Sequence, residues 1–133
     1  MLPAFFNGMP NAHEPPVRVL LAEDDFLIRL DHAGSIRALG WDVIEVSSAD
    51  EGIELLRHGV RFDLVVTDLN MPGRYKGTDL ARMVRDTADL TKVVIVSAEN
   101  PADDQLYDLF LNKPVWDIGP PLLEIMKKAM HGG

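Results

Sequence analysis

With 133 residues, 47% of them hydrophobic and 26% charged, the chain has the size and composition of one globular domain with a sizeable core, not of two. Its 21 acids against 13 lysines and arginines leave a net charge of −8, which argues against direct contact with nucleic acid or an anionic membrane, since both need a basic patch. The lack of cysteine excludes a disulfide framework, a thiolate metal site and a thiol nucleophile.

Residues 1–16 hold four of the nine prolines and no strand or helix period, so they read as a flexible N-terminal arm on which Phe5 and Phe6 are free to dock. Residues 1–10 lack the basic and apolar regions of a signal peptide, and no apolar run approaches ~18 residues, so a cytoplasmic protein is expected. The domain itself is expected over residues 17–130. Residues 17–22 form a first buried strand, followed at once by Glu23, Asp24 and Asp25. Phe26, Leu27, Leu30, Ala33, Ile36 and Leu39 recur at helical spacing and predict a helix that closes at Gly40. Residues 41–46 are a second strand; Ser47 or Ser48 then caps a helix carrying Ile53, Leu55 and Leu56 and ending by Gly59.

Residues 62–67 are the third strand, and its last four positions, Leu64 to Thr67, show no polar alternation. Such a run suits a strand buried on both faces of a parallel sheet. Asn70, Pro72 and Gly73 stop it, which leaves Asp68 at the carboxyl end of a central strand, where open α/β sheets place their ligand crevices. Gly77 and Thr78 open a third helix, from Asp79 to about Asp86, with Leu80, Met83 and Val84 inward. Residues 93–96 are a fourth strand ending at Ser97, and residues 109–112 a short fifth before Lys113 and Pro114. A last helix runs from about Pro120 or Pro121, tolerated in a first turn, to Met130, with Lys127, Lys128 and His131 near its negative end. Strands alternating with helices at this pitch predict an α/β fold: one doubly wound, five-stranded parallel sheet with helices on both faces.

Four polar sites then fall at carboxyl strand ends: Glu23 with Asp24, Asp68, Ser97 and Lys113. Each has a bland local reading: acids at a helix start, a cap, a solvated lysine. Together they do not, because three carboxylates at one sheet edge repel one another unless something cationic neutralises them. Oxygen ligands suit a hard divalent cation, and Mg²⁺ uses one or two carboxylates, several waters and phosphate oxygens. No histidine lies among these strand ends, which disfavours zinc. Acid, cation, hydroxyl and lysine are the parts of in-line phosphoryl transfer, here with a carboxylate nucleophile.

These residues, in the runs Leu20-Leu21-Ala22-Glu23-Asp24-Asp25, Asp68-Leu69-Asn70-Met71-Pro72-Gly73, Val96-Ser97-Ala98 and Asn112-Lys113-Pro114, resemble the receiver domain of two-component response regulators over roughly residues 17–130. The resemblance implies a flavodoxin-like strand order, 2-1-3-4-5, and a phosphoryl group accepted by Asp68 from a phosphohistidine on a histidine kinase or histidine phosphotransfer protein. It implies Mg²⁺ (or Mn²⁺) held directly by Asp24 and Asp68, by Glu23 through water, and by the Asn70 backbone carbonyl. Ser97 and Lys113 would contact the phosphoryl oxygens, Asn70 and Glu99 would tune phosphoryl lifetime, and the Lys113–Pro114 bond would be cis. Phe110 matches the family's switch aromatic, although the residues alone allow it to be a plain core side chain.

Two stretches depart from the family pattern. Only 16 positions separate Ser97 from Lys113, so the connection over residues 98–108 is short. Retracing a strand of ~5 residues takes ~17 Å, which a helix rising ~1.5 Å per residue covers only with ~11 residues, leaving none for loops. A shortened fourth helix is therefore expected, two turns or less, near residues 101–107 with Asn100 as its cap. The loop of residues 73–77 is also a residue longer than is usual, putting Arg74, Tyr75 and Lys76 beside the acidic pocket, as partner contacts or as solvated loop.

The leading expectation is a stand-alone phosphoacceptor, not an enzyme beyond its self-catalysed transfer and hydrolysis, that signals by altered binding to a downstream protein. A fragment of a longer regulator fits the same residues. A degenerate receiver serving as a scaffold is an alternative. An aspartyl-phosphate phosphatase would need an acid at Asn70, and a flavin module would need a phosphate loop where Glu23, Asp24 and Asp25 stand.

Overall fold

The computed structural model describes residues 15–88 and 90–130. The arm expected over residues 1–16, with Phe5 and Phe6, lies almost wholly outside the described residues, as does His131. Five strands, β1 (Arg18–Ala22), β2 (Asp42–Val46), β3 (Leu64–Thr67), β4 (Lys92–Ser97) and β5 (Leu109–Asn112), form one sheet in the order β2-β1-β3-β4-β5. Every pairing is parallel. Four α-helices cross between or follow the strands: α1 (Phe26–Arg37), α2 (Ala49–Arg57), α3 (Gly77–Thr87) and α4 (Gly119–Met130). The expected architecture and strand order are what is found.

Unbroken apolar runs become strands here because both sheet faces are covered. Leu20, Val65, Val93 and Ile95 pack with residues of α2 and α3, such as Ile53, Leu80 and Val84. Their neighbours in sequence, Val19, Leu21, Leu64, Val66, Val94 and Val96, pack on the other face with Ala33 and Ile36 of α1 and Leu122 and Met126 of α4. No helix among the described residues is long and apolar enough to cross a membrane.

The apolar stripe of α1 is buried only in part. Phe26, Leu27 and Leu30 are exposed by 61, 72 and 54%. The buried positions are His32, Ala33 and Ile36. The first turn of α1 rises past the strand ends, so its apolar side chains have no sheet beneath them. From Ala33 onward the helix lies over β1 and β2. Periodicity reports the stripe, but not how far along it the sheet extends beneath the helix.

The short connection between β4 and β5 behaves as its length requires. A single 3₁₀ turn, Asp104–Leu106, replaces the fourth helix. Its cap is Asp103, whose carboxylate accepts the Gln105 N–H at 2.9 Å, and not Asn100. The turn starts late because Leu106 must reach the core just before β5 begins. Arg85 of α3 fastens the connection, donating to the Gln105 carbonyl at 3.2 Å and pairing with Asp108 at 3.0 Å.

α3 begins at Gly77, two residues ahead of Asp79. A Cβ there would strike the Asp68 carbonyl, so the helix can start this close to the rim of β3 only with glycine.

Candidate functional site

The carboxyl ends of β1, β3, β4 and β5 converge, and the register of the sheet explains why. Ala22 of β1 pairs with Thr67 of β3, so Glu23 and Asp68 leave the sheet side by side. Ser97 of β4 pairs with Asn112 of β5, which sets Lys113 one step beyond Ser97. The Lys113 N–H is bonded to the Ser97 carbonyl at 2.9 Å. The Lys113 ammonium reaches across the rim and donates at 2.7 Å both to Glu23 Oε1 and to Asp68 Oδ2. Residues from three strand ends, up to 90 positions apart in sequence, thus share one proton-rich group.

Glu23 is 3% exposed. Burial pushes its carboxyl above the usual range, against the opposing pull of Lys113 and of the Asp25 N–H, with the Asp68 charge adding to the rise. Burial would lower the Lys113 ammonium, but its hydrogen bonds to Asp68 and Glu23 outweigh that and hold it above the ordinary lysine value. Lys113 is therefore a fixed cation. Asp68 also accepts the Leu69 N–H at 2.6 Å. Asp24 is exposed, and carboxylate oxygens of Glu23, Asp24 and Asp68 lie within 4.8 Å of one another. Three hard oxygen donors at that spacing fit Mg²⁺ and not a soft metal. The neighbouring Asp25 plays a different part: it caps α1, accepting the Ile28 N–H at 3.0 Å.

Around this centre, the Ser97 hydroxyl is buried and accepts the Glu99 N–H at 3.2 Å. Asn70 donates to the Glu99 carboxylate at 3.0 Å, so the two positions expected to act together are joined directly. Phe110 is half-buried against the core on the α2–α3 face, 6.2 Å from the Tyr107 ring. The Lys113–Pro114 bond is cis.

Arg74 and Tyr75 lean on α2, whereas Lys76 stands at the start of α3, its N–H donated to Asp79 at 2.8 Å. Asp50 accepts the N–H groups of Arg74 and Tyr75 at 3.1 and 2.9 Å, and Gly73 turns the chain there at φ +125°. Both Arg57 and Arg74 stack on the Tyr75 ring.

Sequence reasoning missed Arg29, whose guanidinium donates to the Glu23 carbonyl at 2.7 Å. A lone arginine within an amphipathic helix gives no signal of such a bond. The Asp50 clasp was equally silent, because it joins residues about 25 positions apart.

The family model described as the response regulator receiver domain matches residues 19–113. The transcriptional regulatory protein PdtaR of Mycobacterium tuberculosis is 35% identical over 89 residues, 66% of this chain and 42% of that protein. The response regulator MprA of a Mycobacterium species is 29% identical over 94 residues, 71% of this chain and 40% of that protein. The chain thus spans less than half the length of these relatives.

Among solved structures, a response regulator receiver protein from Sinorhizobium medicae superposes with a TM-score of 0.76 at 28% identity, over 87% of this chain and 95% of that one. The response regulator TrrA of Thermotoga maritima, solved in complex with Mg(2+)-BeF, superposes with a TM-score of 0.72 at 22% identity, over 85% of this chain and 98% of that one.

Proposed function

Because this chain belongs to the response regulator receiver domain family, we propose that Asp68 is its phosphoacceptor, charged from a phosphohistidine on a histidine kinase or histidine phosphotransfer protein. An Asp68 carboxylate oxygen bonds to phosphorus as the phosphorus–nitrogen bond of the donor breaks, and the imidazole leaves. The observation that carries this reading is the Lys113 ammonium bonded at 2.7 Å to Asp68 and Glu23, a cation already seated where phosphoryl charge would arrive. As the phosphoryl group adds charge and acceptor oxygens, Lys113 passes to it from Asp68, and the Ser97 hydroxyl turns from the Glu99 N–H toward it. Those two contacts draw the ends of β4 and β5 inward, and Phe110 moves with β5. The altered surface is then read by a downstream protein.

Mg²⁺ or Mn²⁺ would be held by Asp24 and Asp68 directly, by Glu23 through water and by the Asn70 carbonyl, and it would neutralise phosphoryl charge. The cluster of oxygens within 4.8 Å supports that donor set, as does the Mg(2+)-BeF bound by the Thermotoga neighbour. The Asn70–Glu99 bond lies over the rim, so it restricts water at the phosphoryl group and sets how long the group survives. The donor protein seats on the apolar surface beside the site: Phe26, Leu27 and Leu30 at the start of α1, and Trp116, 88% exposed, three residues past Lys113. The domain is not an enzyme toward a separate substrate, and it works in the cytoplasm.

Intact-mass measurement after incubation with a small phosphodonor and Mg²⁺ tests the assignment. One added phosphoryl group in the wild type, absent in Asp68→Asn, is expected. An unmodified wild type, or equal modification of Asp68→Asn, would overturn it.

A further inference from the structure

Arg29 is a partly buried cation that phosphoryl transfer as described leaves without a role. Its side chain is 17% exposed and fixed from three directions. Nη1 donates to the Glu23 carbonyl at 2.7 Å. Nε lies 3.6 Å from Glu45 Oε1 on β2, and Arg37 holds the other Glu45 oxygen at 2.9 Å. The guanidinium carbon sits 5.6 Å from the centre of the Phe26 ring.

What this arginine holds is the backbone beside Asp24, the exposed member of the acidic cluster. The peptide group before Asp24 carries the Glu23 carbonyl that Arg29 binds. The peptide group after it carries the Asp25 N–H, which Glu23 Oε2 accepts at 3.1 Å. Asp25 is itself committed to the start of α1, through its carboxylate to Ile28 at 3.0 Å and its carbonyl to the Arg29 N–H at 2.9 Å. Both planar peptide groups flanking Asp24 are therefore pinned, and with them the direction of its Cα–Cβ bond. An exposed carboxylate with no packing of its own is aimed by its main chain.

We propose that Arg29 is a positioning residue for the divalent-cation site, holding the Glu23 carbonyl so that Asp24 points into the cluster with Glu23 and Asp68. This rests on the reading of those acids as a Mg²⁺ site. Charge and position predict opposite signs for its removal. By charge alone, deleting a guanidinium near three carboxylates removes a repulsion and tightens cation binding. By position, freeing the peptide before Asp24 loosens a ligand and weakens binding; loss of such outer partners typically costs ~10–100-fold in metal affinity.

The test is titration calorimetry of the full chain with Mg²⁺ alone, at fixed ionic strength and without phosphodonor, on wild type, Arg29→Ala and Arg29→Lys. Arg29→Ala is expected to bind Mg²⁺ about tenfold more weakly. Arg29→Lys is expected to recover part of the loss, since an ammonium can reach the carbonyl but cannot also fork to Glu45. Affinity in Arg29→Ala equal to or above wild type overturns the positioning role and leaves the cation site standing. Absence of Mg²⁺ uptake by the wild type overturns both. Should Arg29→Ala be unfolded at the assay temperature, Arg29→Lys decides alone: weaker binding than wild type supports the role, and equal or tighter binding overturns it.

Discussion

At the amino rim of the sheet Asp63 accepts the Arg18 N–H at 2.9 Å, and Asp108 accepts the Val93 N–H at 2.8 Å while pairing with Arg85 at 3.0 Å. At the carboxyl rim Glu23 and Asp68 share the one ammonium of Lys113, and Asp24 stands exposed beside them. The same side-chain chemistry is used in two ways. On the amino rim both acids accept a strand N–H, and Asp108 also meets the cations of Arg85 and Lys92. On the carboxyl rim acids outnumber cations, an imbalance that a divalent cation would offset. The carboxyl rim is the one left short of positive charge.

The largest expected effect lies on the rim where acids outnumber cations. Lys113→Met leaves the buried Glu23 and its neighbour Asp68 facing each other without compensation, and should cost about 3 kcal/mol of stability in Mg²⁺-free buffer. Arg85→Ala on the opposite rim should cost only about 1 kcal/mol, because the Val93 N–H still serves Asp108 and Lys92 remains 3.9 Å away. Urea denaturation of the two variants at pH 7 measures the contrast, and equal losses would erase it.

A smaller effect is expected with pH, from two buried groups near Lys113. His32, buried in α1, is held below its usual value of 6.5 first by burial, with the Lys113 charge adding to it and the Val115 backbone and Asp31 opposing. The unfolded chain binds a proton near 6.5 that the fold resists, so this group's contribution is complete above that pH and declines as pH falls below it. Glu23, raised by burial, acts in the opposite sense, favouring the fold as pH falls toward its unfolded value of 4.5. The difference between wild type and His32→Gln isolates the histidine. Between pH 7 and 5.5 the wild-type denaturation midpoint should fall more steeply than that of the variant; parallel curves would show that His32 does not resist protonation.

How much of this was legible from residues alone follows from the range of each interaction. Buried strands announce themselves in runs such as Leu64 to Thr67, and chain breakers at Pro72 and Gly73 mark where they stop. Parallel topology then carries Glu23, Asp68, Ser97 and Lys113 to one rim without any further information. The connection over residues 98–108 was readable because chain length is a geometric limit. Its cap was not: Asn100 and Asp103 are both good caps, and the choice depends on where Leu106 must enter the core. The extent of burial along α1 was unreadable for a related reason, since Phe26, Leu27 and Leu30 continue the apolar stripe of Ala33 and Ile36 yet are exposed. Arg29, Asp50 and the Arg85–Asp108 pair act between elements, through contacts that no local pattern encodes.

A carboxyl rim short of positive charge should take up a divalent cation. Scanning calorimetry with and without Mg²⁺ tests it most directly, because a ligand that binds only the folded chain raises its melting temperature. The melting temperature of the wild type should rise with Mg²⁺ concentration, and that of Asp24→Asn should rise much less. A wild type whose melting temperature is unmoved by Mg²⁺, or one that moves no more than Asp24→Asn, would contradict it.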